Sequence, residues 1–471
     1  MTDASVSPAA RLRQRLLAPH DAAALAVLRI AFGLMVTVSA TRFLAYGWVD
    51  RLYVEPRFHF KYWAFSWVPA LPAGWIHGLF VLLGGLGLAV ALGLFYRVAM
   101  ALLVLTFAWL QLMDVSNYLN HYYLVTLLGA LLVVVPAHRT WSLDAWRNPA
   151  IASATVPAWC SYLLRFQVAT VYLCAGLAKL NGDWLLHAQP LGIWLSSRTS
   201  VPVIGPWLDQ PWVAFVAAWA GFLFDTTIVL FLSLRRTRAV AYGVVLLFHA
   251  LTSLLFPIGM FPVIMTTAAL VFFSPSWPRT LLARLRRRPA PIPAPSPATP
   301  TTPSRLYHPA LALAALYCLS QLALPLRAHL YGGNISWHEQ GMRLSWRVMT
   351  REKNGSVTFI VLDPHSQPPR EWHIPPSRYL TRLQEREMAV QPDLILQLAH
   401  RIARDFARDG RPGVSVFADA RVSLNGRPAA TFIDPSADLA HLDDGLGPKP
   451  WILPAPDGPP IRLRPLLATG R

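Results

Sequence analysis

Lys179, His121 with Asn120 beside it, His249 and His329 are the groups in this sequence whose type and position could do chemistry. Lys179 stands at the outer end of an apolar run, in the stretch Val171 to Trp184, and no other lysine lies inside an apolar segment. Arginine keeps its proton at any working pH, whereas an amine taken out of water can lose its proton near neutrality and act as a base. The chain has 38 arginines against 4 lysines, so a lysine here looks chosen for that property. The competing reading is a snorkelling side chain that anchors the helix end. Asn120 and His121 open another apolar run, among Tyr118, Tyr122 and Tyr123, on the membrane side where Lys179 also falls. A histidine at that depth is either a headgroup contact or helix cap, or an acid–base group. His249 lies within an apolar run ahead of Phe256–Phe261, where packing is the ordinary role, and His329 follows the last apolar run.

An amine that faces an imidazole on a neighbouring helix of an apolar bundle suits proton abstraction from a lipid-soluble molecule better than hydrolysis of a polar one. The motifs of several other chemistries are missing: the sequence has no G-x-x-x-x-G-K-[ST], H-E-x-x-H, G-x-S-x-G or C-x-x-C. The histidines have no metal spacing, so no metal is expected. Gly84, Gly85 and Gly87 suit helix packing rather than phosphate binding. Arg165 reads as an interfacial anchor.

The elements that hold these groups must be membrane helices. Of 471 residues 54% are hydrophobic and 14% charged, with mean hydropathy +0.39, where a soluble domain carries roughly 25% charged residues. Nine apolar runs approach the length needed to span a bilayer, at 21–44, 75–94, 97–114, 120–137, 159–180, 211–233, 239–256, 258–274 and 308–326. The net charge of +18 comes from arginines between these runs, not from a nucleic-acid-binding motif, so no nucleic acid is expected as partner. Arg11, Arg13 and Arg15, then Arg97, Arg139 with Arg147, Arg235 with Arg236 and Arg238, and Arg284 with Arg286 to Arg288 all fall on one side when the spans alternate. That side is the cytoplasm by the positive-inside rule, which puts the N-terminus inside and the C-terminal region outside. The loop at 45–74 breaks the charge pattern with Arg51, Arg57 and Lys61, and its aromatic residues Trp48, Tyr62, Trp63, Phe65 and Trp67 predict an interfacial segment. Cys160, Cys174 and Cys318 all lie in or at apolar runs and suggest no disulfide framework.

The division that follows is a cytoplasmic segment at 1–20, a bundle of eight spans at 21–288, a Pro-rich cytoplasmic linker at 289–307, a ninth span at 308–326 and an extracytoplasmic β-rich domain at 327–471. In that domain, Leu344–Val348 and Val357–Val361 flank Asn354–Gly355, which predicts a hairpin. Pro392 and Asp393 open an amphipathic helix closed by Gly410, and Val414–Leu424 runs to a second hairpin at Asn425–Gly426. The fold class is therefore an α-helical polytopic membrane bundle with a small C-terminal α+β, β-rich extracytoplasmic domain.

Several ordered stretches give the chain a family likeness. Leu94–Arg97, Asn120–Leu124, Trp141–Asp144, Val171–Gly176 with Lys179 and Asp183–Trp184, Phe248–His249, Phe256–Phe261, Ser274–Pro278 and Ser345–Trp346 together resemble the vitamin K-dependent γ-carboxylase family, also called the HTTM family, from about residue 20 to about residue 440. The resemblance implies that Lys179 falls where the family deprotonates vitamin K hydroquinone. The anion then takes up O2 and becomes a strong base, which removes a glutamate γ-proton so that the carbanion captures CO2 and vitamin K epoxide leaves. It also implies that His121 is catalytic and that Asn120, with His249 and His329, which match family histidines, binds or supports the quinone. The implied cofactor is reduced vitamin K or menaquinol, with O2 and CO2 as co-substrates, and the implied partners are membrane lipid, the quinol and a Glu-containing protein or peptide. Arg-, Ala- and Pro-rich composition points to a high-GC bacterium, hence to its inner membrane and to menaquinol. Three departures bear on this. Ala178–Lys179 stands where vertebrate members have two lysines, the cysteines that tie their first loop to the lumenal domain are missing, and the chain ends where they continue. Quinol epoxidation without glutamate carboxylation, and a lipid-binding or transport bundle without catalysis, therefore stay open as alternatives.

Overall fold

The structure is a computed structural model and describes residues 7–287 and 307–460. The Pro-rich stretch expected as a linker falls almost entirely outside the described residues. Among the described residues nine apolar helices follow one another: α1 (Ala23–Ala45), α2 (Ala73–Leu92), α3 (Tyr96–Met113), α4 (Asn120–Val134), α5 (Trp159–Ala178), α6 (Pro211–Ser233), α7 (Arg238–Leu255), α8 (Phe261–Ala269) and α9 (Tyr307–Leu326). Among the described residues, seven of these are long and apolar enough to cross a membrane. The other two are shorter than the sequence predicted: α4 has 15 residues, and α8 ends at a bend of 95° into the helix Trp277–Leu285. Pro275 and Pro278 stand at that bend, where a straight continuation is disfavoured.

Small residues set the helix crossings. A methyl group on Gly33 would sit 2.4 Å from the Gly87 carbonyl oxygen, so α1 and α2 touch backbone to backbone, and Thr37 Oγ1 donates to the Gly84 carbonyl at 3.1 Å. Within the glycine-rich run of α2 the close approach is made by Gly87, where a methyl group would meet Thr37 Oγ1 at 2.6 Å, whereas one on Gly85 would meet nothing. Two of the stretches that carry the family likeness, Leu94–Arg97 and Trp141–Asp144, meet at one end of the bundle. Phe95 turns in the left-handed region at φ +46°, and the Asp144 carboxylate accepts from the Phe95 and Tyr96 backbone N–H groups, both at 2.8 Å, capping α3. Arg165 donates to the Val271 and Phe273 carbonyls at 2.7 and 3.1 Å, tying α5 to the bend that follows α8. It is a helix-end clamp.

The C-terminal domain is a four-stranded antiparallel sheet with one long helix. The strands are β1 (Lys353–Asp363), β2 (Arg370–Ile374), β3 (Ser415–Leu424) and β4 (Ala430–Thr431), in the order β2-β1-β3-β4. Helix α10 (Pro392–Arg408) buries Leu394, Ile395, Leu398, Ala399 and Ile402 in the same core. Their spacing is that of one helix face. The Asn425–Gly426 hairpin forms as expected, with both residues at positive φ, between β3 and β4. The hairpin expected at Asn354–Gly355 does not form. Those residues lie inside β1 and pair with Ser423 and Val422, while Leu344–Val348 is irregular. The reason is the neighbouring Lys353. Its buried amine donates to the Trp337 and Val390 carbonyls and to Glu339, fixing this end of β1 into the domain rather than at a turn. The 45–74 loop divides its aromatic residues: Phe60 is buried in the C-terminal domain's core, and Trp63 and Trp67 are exposed. Lys61 and Gln397 exchange two hydrogen bonds that fasten this loop to α10.

Candidate functional site

Lys179 follows the last turn of α5 and is only 5% exposed. Its amine donates to the Ala175 carbonyl at 3.1 Å and to Asp225 Oδ2 of α6 at 2.7 Å, and lies 5.2 Å from the centre of the Trp184 ring. The carboxylate comes within reach because of Gly176. A methyl group there would meet Thr226 at 2.6 Å, so the glycine lets α6 close on α5 at the level of the pair. Trp184 fixes the same contact from below, its indole N–H donating to the Ala218 carbonyl at 2.8 Å. Asp225 is the residue that the sequence reading missed, although an acidic residue inside an apolar span carries the same signal as Lys179.

This pair ends a cavity of about 210 Å³ between α5, α6, α7 and α8. The remaining lining is apolar apart from Tyr172, His249 and Thr252, and includes Val171, Gly221, Phe248, Phe261 and Met265. His249 Nε2 lies 3.2 Å from the Tyr172 hydroxyl, while its Nδ1 is buried without a hydrogen-bond partner among the described residues. A buried polar atom left in that state can be satisfied by a bound molecule. Ala220 and Leu251 line the cavity and are exposed, so the cavity is open between α6 and α7, two helices long and apolar enough to cross a membrane.

The other expected residues fall elsewhere. His121 is buried at the start of α4, against Tyr122 and the loop at Gly259, and is not among the residues lining this cavity. Phe261 neighbours both imidazoles, with ring centres 6.2 Å from His121 and 6.0 Å from His249. The imidazole that shares the cavity with Lys179 is therefore that of His249. Asn120 lines a second chamber, and His329 is exposed at its margin.

That second chamber, also about 210 Å³, lies between the start of α4 and the C-terminal domain. Arg343, Arg347 and Arg351 line it, with Glu339, Glu387, Gln391 and Thr350. Arg343 is committed to Asp393 and Gln391, and Arg351 Nη2 to Glu339 Oε2 at 2.9 Å. Arg347 has no carboxylate partner among the described residues, its Nη2 meeting His329 Nε2 at 3.2 Å. The Arg351 Nε and the Thr350 hydroxyl are buried without partners among the described residues. Burial pushes Glu387 above the usual carboxylate range despite Arg351 and Arg386 nearby. Burial likewise lowers the Lys353 amine to about 8, against the pull of Glu339. The chamber thus has donors and positive charge to spare, which suits a carboxylate ligand.

The bundle and the domain that frame these chambers define a multi-pass membrane protein with a folded water-facing module. The HTTM domain family model matches residues 17–277, and that of the vitamin K-dependent gamma-carboxylase lumenal domain matches residues 307–458. No solved structure matches the chain. The first match covers more than half of the sequence, and with the second it shows that this chain belongs to the HTTM, vitamin K-dependent gamma-carboxylase family.

Proposed function

We propose that the protein oxidises a reduced naphthoquinone, vitamin K hydroquinone or menaquinol, to its epoxide and couples this to γ-carboxylation of a protein glutamate. The observation that carries the reading is a buried amine, paired with a buried carboxylate, closing an apolar cavity that opens between two helices long and apolar enough to cross a membrane. The cavity fits the ring of a prenylated quinol, and the unpartnered His249 Nδ1 supplies a hydrogen-bonding position for one of its oxygens. When bound, the quinol supplies the reducing electrons and, with O2, the driving force that no side-chain base has for a glutamate γ-proton. One oxygen atom of O2 ends in the epoxide and the other in water. In the coupled reaction the glutamate γ C–H bond breaks, a C–C bond to CO2 forms, and the proton is released.

Lys179 takes the hydroquinone O–H proton in this reading. Asp225 holds the amine toward the cavity and takes the ammonium proton, which leaves the Lys179 nitrogen free to receive that of the hydroquinone, so the two groups work as one acid–base unit. His249 orients the quinol, with Tyr172 fixing the imidazole. His121 supports Phe261 and the Gly259 loop from behind, and Asn120, which accepts from the Tyr118 hydroxyl at 2.9 Å, shapes the wall of the polar chamber. His329 sets the position of Arg347 at the chamber's margin. Arg347, Arg351 and Thr350 receive the acceptor carboxylate. Reduced vitamin K, O2, bicarbonate and a short Glu-containing peptide given to the purified protein test the reading directly. Epoxide together with carboxylated peptide is expected. Epoxide alone removes the carboxylation, and absence of both products removes the enzyme reading.

A further inference from the structure

The apolar cavity and the polar chamber lie on either side of one short segment. Val348 and Met349 line the first, and Met342, Arg343, Arg347, Met349, Thr350 and Arg351 line the second. Met349 is the residue common to both linings among the described residues. The backbone that places it is unusual. Leu344, Trp346 and Met349 all stand in the left-handed region, at φ +62°, +58° and +54°. Each such non-glycine residue costs about 1–2 kcal/mol, so three within six positions persist only where the surroundings hold them. Those surroundings are visible. The Leu344 N–H donates to the Tyr118 hydroxyl at 2.9 Å, Trp346 stacks on Tyr123 with ring centres 4.8 Å apart, and the Ser345 hydroxyl bonds the Met342 carbonyl. The segment is a clamped, kinked wall, and an unbranched thioether with three rotatable bonds occupies the place where the wall is one residue thick.

We infer that Met349 is the partition between the two cavities, keeping water of the polar chamber out of the apolar one and passing the reaction across only toward a seated carboxylate. The coupling half of this inference rests on the reaction proposed above, and the partition half does not. A strong base generated in the apolar cavity has two fates. It can take the glutamate γ-proton, or it can take a proton from water, in which case quinol and O2 still give epoxide and water but no carboxylate is made. Which fate wins is decided by what stands between the base and the water-filled side.

Two measurements test it in the full-length protein. In a Leu195→Cys background, with Cys160, Cys174 and Cys318 replaced by Ser or Ala, the new thiol reports access to the apolar cavity, because Leu195 lines it and is 1% exposed. A charged methanethiosulfonate should label this thiol slowly when Met349 is present and faster by roughly tenfold or more after Met349→Ala, since reagent access follows the opened state. Met349→Leu, of nearly equal volume, should keep the slow rate. Equal labelling with Met and Ala overturns the partition, and so does fast labelling with Leu. The second measurement is the ratio of carboxylated peptide to epoxide, together with the dependence of epoxide formation on peptide. Met349→Ala should lower the ratio severalfold and make epoxide formation independent of peptide, while Met349→Leu retains the parent behaviour. An unchanged ratio in Met349→Ala overturns the coupling role. A parent protein that forms no epoxide overturns the proposed reaction and the coupling with it, and the labelling result still decides the partition.

Discussion

The apolar cavity holds one cation, Lys179, matched by one carboxylate at 2.7 Å, and is otherwise apolar apart from Tyr172, His249 and Thr252. The chamber across the wall holds three arginines, two glutamates and buried donors without partners among the described residues. Both are about the same size and share a boundary, so the difference is chemical rather than geometric. In the proposed reaction lysine stands where a proton must move, and arginine stands where a charge must be held without moving. An ammonium can give up its proton when its partner accepts it, whereas a guanidinium offers fixed donors that match a carboxylate in pairs. Keeping the two functions in separate compartments lets each have the solvent it needs. Proton abstraction from a quinol works best in dry surroundings, and capture of an acidic side chain needs a water-facing door.

The comparison breaks first at Lys179. Lys179→Arg retains the positive charge and the Asp225 contact but removes the movable proton, and epoxide formation should fall by about 10²- to 10⁴-fold, the span that a general base commands. Expression and detergent-extracted yield should stay near those of the parent. Full activity in this variant would end the amine-base account. Asp225→Asn comes next. Epoxide formation should drop by about ten- to a hundredfold, as for partners that orient a working group. Thermal stability should also fall, because a buried ammonium then lacks its counter-charge, a change that costs about 3–5 kcal/mol in buried pairs. A variant with unchanged melting and unchanged epoxide rate would show that the pair matters to neither.

Across the wall the expected effect is smaller and differs in kind. Arg347→Ala should raise the KM for the Glu peptide by about ten- to a hundredfold, the equivalent of one lost charge-assisted hydrogen bond, with the KM for quinol left where it was. A rise in the quinol KM instead would mean that the two compartments are not chemically separate.

Much of this arrangement can be read from the sequence, and what escapes has identifiable causes. Spans are legible because twenty apolar residues have few other fates in water. Lys179 is legible because lysine is rare in this chain and charge is rare in its spans. Asp225 needed only the same argument applied to anions. The split between His249 and His121 could not be read, because both lie on apolar helices near the same level, and only the packing of α7 and α8 decides which imidazole faces the amine. The arginine chamber was hidden for another reason. Arg343, Arg347 and Arg351 recur every four residues, which suggests a helical face, yet the segment is a kinked wall with left-handed residues that no local pattern announces. Asn354–Gly355 misleads in the opposite direction. Its turn signal is genuine for an isolated peptide, but β1 pairs there with a strand some seventy positions away.

The contact that holds the two compartments in register is the last place to test the comparison. Asp183, four residues after Lys179, accepts from Arg427 Nη1 and Nη2 at 2.8 and 2.7 Å and from Asn425 Nδ2 at 2.8 Å, so the β3–β4 hairpin is latched to the segment that carries the amine. Burial acts to raise the Asp183 carboxyl, but hydrogen bonds from Arg427 and Asn425 outweigh it and hold the group below the usual carboxylate range. The unfolded chain then binds the proton more readily than the native one. The stabilisation is therefore fully present above the ordinary carboxylate pKa of 3.8 and is lost as pH falls through the lower native value. Asp183→Asn keeps the shape and removes the charge, so it should lower stability at neutral pH by about 1–3 kcal/mol and shrink the difference from the parent as the pH is taken below 4. Hydrogen exchange at the backbone of Asn425 and Arg427 gives the local readout, rising in the variant at pH 7 while amides in α10 stay protected. If the variant and the parent lose protection at this hairpin along the same pH curve, Asp183 is a bystander, and the domain is held over the cavities by its loop and core contacts alone.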